Sequence, residues 1–352
     1  MTSQGQLEDA TTAAGDPAGG GARPPGTAAE RRARLLRELR KRWSFVVLLV
    51  LIAVFGTLRP DSFLTPFNMR SIATDASSYL VIAVGMTFVI TLGGIDLSVG
   101  SVLVFSGVAS LRVMLWLGTD TWTTCLVGLA VAVLSGAAWG LVNGLVTTKG
   151  EISPLIATLG SFAAAQGLAF VIAGGQDMHG VPLTLANGIG YGKFLGIPWP
   201  VVIALVVAAI GGFAMSQTRF GRYTCAIGSN EEAARRAAIN VDRHLVKVYV
   251  LSGLLSGLAG YISLARFQTT TLNGHSTDML LAILAVVIGG TSLLGGVGTV
   301  LGTVIGVTIP SVLSSGFVIL GFEAFWQQVA IGVALVVVVI VDQRNRRRAA
   351  LR

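Results

Sequence analysis

Trp122-Thr-Thr-Cys-Leu-Val-Gly-Leu-Ala-Val-Ala-Val-Leu-Ser-Gly-Ala-Ala-Trp-Gly-Leu-Val-Asn-Gly-Leu-Val-Thr147 contains no charged side chain. A hydrocarbon core about 30 Å thick needs roughly 20 helical residues, so this stretch is long enough to cross a bilayer. Within it Gly136, Gly140 and Gly144 recur every fourth residue. That spacing strips one helix face of side chains and lets a second helix approach closely. Gly298, Gly302 and Gly306 repeat the pattern near the other end of the chain.

The rest of the sequence is of the same kind. Of 352 residues, 53% are apolar and 12% charged, and the mean hydropathy is +0.75. A soluble domain carries about 25% charged residues, so the composition excludes most soluble enzymes as well as disordered and coiled-coil chains. It predicts an all-α polytopic membrane protein. The 45 glycines fit, because small residues are over-used where membrane helices meet. The ~20-residue ruler gives about ten transmembrane helices, near 43–58, 71–92, 98–117, 122–147, 154–173, 198–215, 247–265, 278–291, 297–315 and 324–341.

Charge orients them. With the N-terminus inside, 20 of the 25 Lys and Arg residues fall in the cytosolic segments: the N-terminal tail, the turn at Lys149, the loop 216–247 and the C-terminal tail. The positive-inside rule asks for that asymmetry, and both termini cytosolic requires an even number of spans. Trp43, Trp116, Trp122, Trp199 and Trp326 lie near span ends, as an interfacial aromatic belt would. Arg112, near the outer end of its span, can snorkel to the interface. The net charge of +8 is strung between apolar spans rather than gathered on one face, so it predicts loop anchoring and no nucleic-acid partner.

Three parts follow. Residues 1–42 read as a disordered, basic cytosolic tail, rich in Gly, Ala, Thr and Pro and then in Arg. The first apolar run begins only at Trp43 with no small-residue cleavage site after it, which predicts a retained span rather than a signal peptide. Residues 43–342 form the membrane domain and 343–352 a basic cytosolic tail. Cys125 and Cys225 offer no disulfide framework, and His179, His244 and His275 stand apart from them and from one another. No metal site or cofactor is expected. The absence of G-x-x-x-x-G-K-[ST], a nucleophile elbow or HExxH argues against nucleotide chemistry or catalysis within this chain.

Two segments carry chemistry. In Gly93-Gly-Ile-Asp-Leu-Ser-Val-Gly-Ser101, a carboxylate is set against apolar spans, which costs about 2.5–3.5 kcal/mol at a helix centre on insertion scales. Asp96 must therefore sit near an aqueous rim or be satisfied by neighbouring backbone. The segment reads equally as a tight cytosolic turn with an N-cap or as a broken-helix gate that includes Ser98. The second segment, Arg219 to Val241, holds Ser229-Asn230-Glu231-Glu232-Ala233-Ala234-Arg235-Arg236. Ser229 reads as N-cap with Glu232 at N3, and Glu231–Arg235 and Glu232–Arg236 are i,i+4 pairs in the favourable order. A short cytosolic helix is predicted there, either a solvated connector or a docking surface. Asn143, Ser161, Gln166, Asp75 and Asp278, polar residues within apolar spans, are pathway candidates. A faint echo links Thr74-Asp75…Gly93-Gly94 with Thr277-Asp278…Gly295-Gly296.

In this order the motifs GGIDLSVGS (93–101), LVNGLVTTKG (141–150), ATLGSFAAAQG (157–167), TRFGRYTCAIGSNEEAARRAAINVDR (218–243) and VVIGGTSLLGGVGTVLGT (286–303) resemble the permease subunit of ribose-type ABC sugar importers. That superfamily is shared with branched-chain amino-acid permeases. The resemblance covers residues 68–342. It implies two permease copies, cytosolic ABC ATPase subunits, an extracytoplasmic solute-binding protein and a place in the bacterial plasma membrane. It also implies that Ser229 to Ala238 is the helix that couples to the ATPase. The chain departs from related permeases where they often carry an acidic pair, in a pattern like E-L-D-A-I-A-A. Here that stretch reads Met279-Leu280-Leu281-Ala282-Ile283-Leu284-Ala285. Import of a monosaccharide or similar polyhydroxylated solute is the leading function. The alternatives are nucleoside or amino-acid import on the same scaffold, or ion-coupled transport with Asp75, Asp96 and Asp278 as coupling carboxylates.

Overall fold

The computed structural model describes residues 43–275, 277–323, 325–333, 336 and 340. The tails assigned to 1–42 and 343–352, and part of the span placed at 324–341, lie outside the described residues.

Every long element is a helix. α1 is Trp43–Leu58, α2 the single turn Pro60–Phe63, α3 Pro66–Thr91, α4 Val99–Leu117, α5 Trp122–Lys149 and α6 Pro154–Ala173. α7 is Leu183–Leu185, continued by a π-turn at Ala186–Gly190. A two-residue hairpin, β1 (Lys193–Phe194) on β2 (Ile197–Pro198), leads into α8, Trp199–Gln217. Then come α9 (Arg219–Ser229), α10 (Glu231–Arg236), α11 (Val241–Phe267), α12 (Asp278–Ile288) and α13 (Val300–Ile319); residues 325–333 are helical as well. Seven of these helices are long and apolar enough to cross a membrane: α3, α4, α5, α6, α8, α11 and α13. α1 and α12 are shorter apolar helices.

The ends are written in the sequence. Pro66 and Pro154 stand in the first turns of α3 and α6, where a missing N–H costs nothing. The side chains of Thr65, Thr121, Asn240 and Thr299 cap α3, α5, α11 and α13. α3 stops at a Schellman turn. Gly93 N–H donates to the Ile90 carbonyl (2.9 Å) and Gly94 N–H to the Val89 carbonyl (3.0 Å), with Gly93 at φ +93°, which favours glycine. The same turn recurs after α12, where Gly290 also has φ +93° and Gly290 and Thr291 donate to Val287 and Val286. The structural counterpart of Gly93-Gly94 is thus Gly290-Thr291, not Gly295-Gly296.

The bundle is apolar outside, and its largely apolar core also holds small polar residues. In α3 and α11, 78% of the apolar window is buried, against 28% in α5, α6 and α8. The outer faces present residues such as Leu134, Ile156, Val171, Ile210 and Phe213, while Thr87, Ser106, Ser110, Asn143, Thr158 and Ser256 are buried. An apolar surface this extensive is stable only against lipid. α5 lies on α11 through the predicted glycine ladder. A Cβ on Gly136 would fall 2.2 Å from the Gly253 carbonyl oxygen, and one on Gly253 2.2 Å from that of Gly136. The second ladder is equally tight: Cβ atoms on Gly302 and Gly306 would lie 1.9 Å from the carbonyls of Gly289 and Ala285.

Candidate functional site

The segment between α8 and α11 is not one helix but two at an angle. Thr218 caps α9. α9 then packs with Thr224 against His244 of α11 (hydroxyl to Nε2, 2.8 Å) and with Phe220 against Phe88 of α3, ring centroids 5.5 Å apart. Burial pushes the Cys225 thiol of α9 above its ordinary pKa. The chain breaks at Asn230, whose extended backbone ends α9 and starts α10.

Here the capping reading shifts by one residue. Asn230, not Ser229, is the N-cap: its Oδ1 accepts the Ala233 N–H at 2.9 Å. Ser229 belongs to the end of α9, and its hydroxyl donates back to the Cys225 carbonyl at 2.8 Å. Both residues are good caps, but only Asn230 has the extended backbone that an N-cap requires. Glu232 consequently moves from N3 to N2. Both charge pairs form, Arg235 with Glu231 (2.9 Å) and Arg236 with Glu232. Arg235 adds a link to Asp242 in the first turn of α11, at 2.6 Å, and these two acids hold its guanidinium above its ordinary pKa. All of these side chains are half-exposed or more, so the pairs orient α10 more than they stabilise it. Ala234 alone is buried. α10 is a projecting knob tethered at one alanine.

The inner end of α9 is seated without side chains. A Cβ on Gly228 would lie 1.9 Å from the Thr91 carbonyl oxygen and 2.6 Å from the Gly296 nitrogen. The Gly296 N–H itself donates to that same Thr91 carbonyl at 2.8 Å. α9 therefore touches both Thr91, the last residue of α3, and the 289–299 loop after α12, backbone to backbone.

Behind this junction lies a buried polar knot. Asp96 is 1% exposed, which excludes an aqueous rim, and it is satisfied by one backbone N–H together with two side-chain hydroxyls rather than by backbone alone. Its Oδ1 accepts the Ser98 N–H (3.0 Å) and the Ser98 hydroxyl (2.6 Å), and its Oδ2 accepts the Ser252 hydroxyl of α11 (2.9 Å). Asn143 of α5 donates from Nδ2 to the Ser98 oxygen at 2.8 Å. Thr158 of α6 holds the 92–98 break after α3 by accepting the Leu97 N–H at 3.1 Å. Ser98 thus spends its hydroxyl on Asp96 and does not cap α4 with it. The carboxylate cost is met by three donors from two elements, and the knot ties α5, α6 and α11 to the end of α3.

The other pathway candidates lie toward the opposite end of the helices. Gln166 donates to the Leu272 carbonyl (2.7 Å), Asp75 pairs with Arg266, and Asp278 takes His275 Nδ1 at 2.6 Å. The structure thus joins Asp96, Ser98 and Asn143 in one cluster and Asp75 and Asp278 in another region. Ser252, Gly228, Arg266 and His275 are neighbours of these candidates that sequence reasoning missed, since each is unremarkable until the fold supplies its partner. Among the described residues, no cluster of His, Cys, Asp and Glu has the makings of a metal site.

Comparison with known proteins gives this geometry a context. The family model described as "Branched-chain amino acid transport system / permease component" matches residues 68–339. The chain belongs to that family. Membership makes it a membrane transport component rather than an enzyme. It is 38% identical to the ribose import permease protein of Escherichia coli strain K12, over 88% of this chain and 97% of that one. It is 39% identical to the ribose import permease protein of Bacillus subtilis strain 168, over 87% and 94%. It is 37% identical to the L-arabinose ABC transporter permease protein of Azospirillum brasilense, over 86% and 88%. No solved structure matches the chain. The family's match includes Met279 and Leu281, where the acidic pair is missing; Leu281 is buried and Met279 packs on the core.

Proposed function

We propose that the chain is the permease subunit of an ABC importer that carries a monosaccharide or similar small polyhydroxylated solute into a bacterial cell. The single observation that carries this is α10, a capped, exposed helix that continues from α9, which rests at once on the end of α3 and on the loop after α12. Its size and exposure suit insertion into the cleft of a cytosolic ABC ATPase. The rigid Gly228 contact is what a displacement of that ATPase needs in order to reach the bundle. The names of the relatives supply the solute class: ribose, D-allose and L-arabinose importers. On this reading there are ten spans with both termini and the α9–α10 segment cytosolic. A second permease copy completes the pathway, and an extracytoplasmic binding protein delivers the solute. Ser229 to Arg236 and Asp96, Ser98 and Asn143 are then the coupling and inner-gate elements.

Ion-coupled transport is less well supported. Asp96 is fully engaged by its donors, Asp75 by Arg266 and Asp278 by His275, which leaves no carboxylate of the three free to take up and release an ion. The test is sugar uptake in cells carrying the permease, its ATPase and its binding protein. Inactivating the ATPase's phosphate-binding lysine is expected to abolish uptake, while collapsing the proton gradient with ATP maintained leaves it intact. The reverse result would establish ion coupling instead.

A further inference from the structure

At the end of the bundle away from α9 and α10 is a cavity of about 270 Å³, between the third and fourth turns of α3, the end of α11, the 268–275 loop and the start of α12. Its wall includes Asp75, Ser78, Tyr79, Arg266, Thr271 and Asp278. We propose that this cavity is a selectivity site of the permease itself, contacting one neutral polyhydroxylated solute during its passage. The proposal rests on the importer reading and adds to it that discrimination among sugars resides partly in this chain.

Three observations support it. First, Ser78 is 5% exposed, lines the cavity, and its buried hydroxyl has no hydrogen-bond partner among the described residues. Buried polar groups are nearly always paired, so an unpaired hydroxyl on a residue that lines the cavity is one that can turn toward an occupant. Second, ionisable residues at membrane depth are expensive and persist where they line a water-filled pathway. Here the Asp75–Arg266 ion pair does so, together with the hydrogen-bonded Asp278 and His275. His275 is further fixed by the Ser263 hydroxyl at 2.9 Å, and Arg266 lies over the Phe267 ring at 4.9 Å. Third, the volume falls just under the ~300 Å³ lower end of sites for drug-sized ligands, which suits a single small solute.

The charge balance selects the solute class. The Arg266 guanidinium is already paired with Asp75, and His275 is hydrogen-bonded to Asp278, so a carboxylate or phosphate solute would have to break one of these contacts to gain a partner. A neutral polyol needs no counter-charge. It offers donors to the carboxylate of Asp75 and acceptors to Arg266 and the Ser78 and Tyr79 hydroxyls, and its C–H faces suit the Tyr79 and Phe267 rings. Charge-assisted bonds of this kind are the stronger ones, and their fixed directions distinguish one hydroxyl configuration from another.

The experiment uses cells expressing the complete importer and follows radiolabelled ribose, D-allose and L-arabinose separately. Wild-type protein is expected to carry at least one of them; uptake of none overturns the sugar reading, and this proposal falls with it. Given uptake, Ser78→Ala and Asp75→Asn are expected to change the relative uptake of the three sugars, or the KM of the one carried, at least threefold. Binding-protein-stimulated ATP hydrolysis should stay within twofold. Ser77→Ala, one residue away with its hydroxyl bonded to the Thr74 carbonyl at 2.6 Å, should leave both unchanged. As a second readout, Thr271→Cys should transport normally until a membrane-impermeant thiol reagent is added outside, and then lose transport. Unaltered selectivity and KM in both cavity variants, or full transport after complete labelling at position 271, would overturn the cavity's role while leaving the importer reading standing.

Discussion

Gly228 meets the Thr91 carbonyl so closely that a Cβ at 228 would lie 1.9 Å from the oxygen. Nothing else in the contact can yield, since both partners are main chain and Gly296 is bonded to the same oxygen. Gly228→Ala must therefore lift α9 from the end of α3, with an overpacking cost of about 1–3 kcal/mol. Insertion should be preserved, because the spans are untouched, while uptake falls at least tenfold. Gly160→Ala, in α6 with open space around its Cβ position, is the control and should be neutral. Wild-type uptake by Gly228→Ala at equal membrane levels would remove the mechanical link.

The Asp96 knot makes a stability prediction. Ser252→Ala deletes the only donor to Asp96 Oδ2 among the described residues. It leaves a buried acceptor unmet at a cost of about 1–3 kcal/mol. Ser256→Ala, one turn on, removes a hydroxyl that only bonds back to the Ser252 carbonyl (3.0 Å) and should cost much less. Thermal unfolding of the purified variants in detergent decides between them. Equal midpoints for the two would mean that the knot does not hold the break in place.

A pH effect belongs to the turn between α4 and α5. The exposed Asp120 carboxylate accepts the Thr184 N–H at 2.9 Å, and this bond holds its pKa below the ordinary value. A lowered folded pKa contributes stability above the unfolded value of about 3.9, lost as pH falls through the lowered one. Amide protection at Thr184, corrected for intrinsic exchange rates, should therefore drop below about pH 4 and be pH-independent in Asp120→Ala. A flat profile in the wild type would show that the tether is not made in solution.

The lipid-facing helices were legible almost to the residue: α1 and α6 begin and end where hydropathy puts them. That signal is a property of the local sequence, as were the two glycine ladders. α11 was not. It starts six residues before the expected span because Asn240 caps it and its first turns, with Asp242 and Arg243, are too polar to register as apolar. The site was legible in its acids and invisible in its partners. Asp96 is conspicuous in an apolar chain, but Ser252, 156 residues away, is an ordinary serine until α11 packs on α3. Gly228 is similarly silent, because a missing side chain has meaning only when the backbone opposite it is known. The cavity combines both difficulties: Asp75 and Asp278 stand out individually, while their joining depends on the loop after α11.

The final prediction concerns how α10 transmits force. If α10 is the ATPase contact, its rigidity depends on its N-cap and on its one buried residue. Asn230→Ala removes the bond to the Ala233 N–H and should cost about 0.5–2 kcal/mol locally. Ser229→Ala breaks only a bond back to Cys225 and should be close to neutral, although Ser229 looks the better cap in sequence. Ala234→Pro deletes the N–H that donates to the Asn230 carbonyl at 3.0 Å and places a ring inside the helix, at about 3 kcal/mol or more. In the reconstituted importer, binding-protein-stimulated ATP hydrolysis and uptake should therefore fall in the order Ala234→Pro, Asn230→Ala, Ser229→Ala, the last near wild type. A solvated connector would tolerate all three alike. Near-normal coupled hydrolysis by Ala234→Pro at wild-type membrane levels would defeat the docking role, and a Ser229→Ala defect larger than that of Asn230→Ala would return the cap to Ser229.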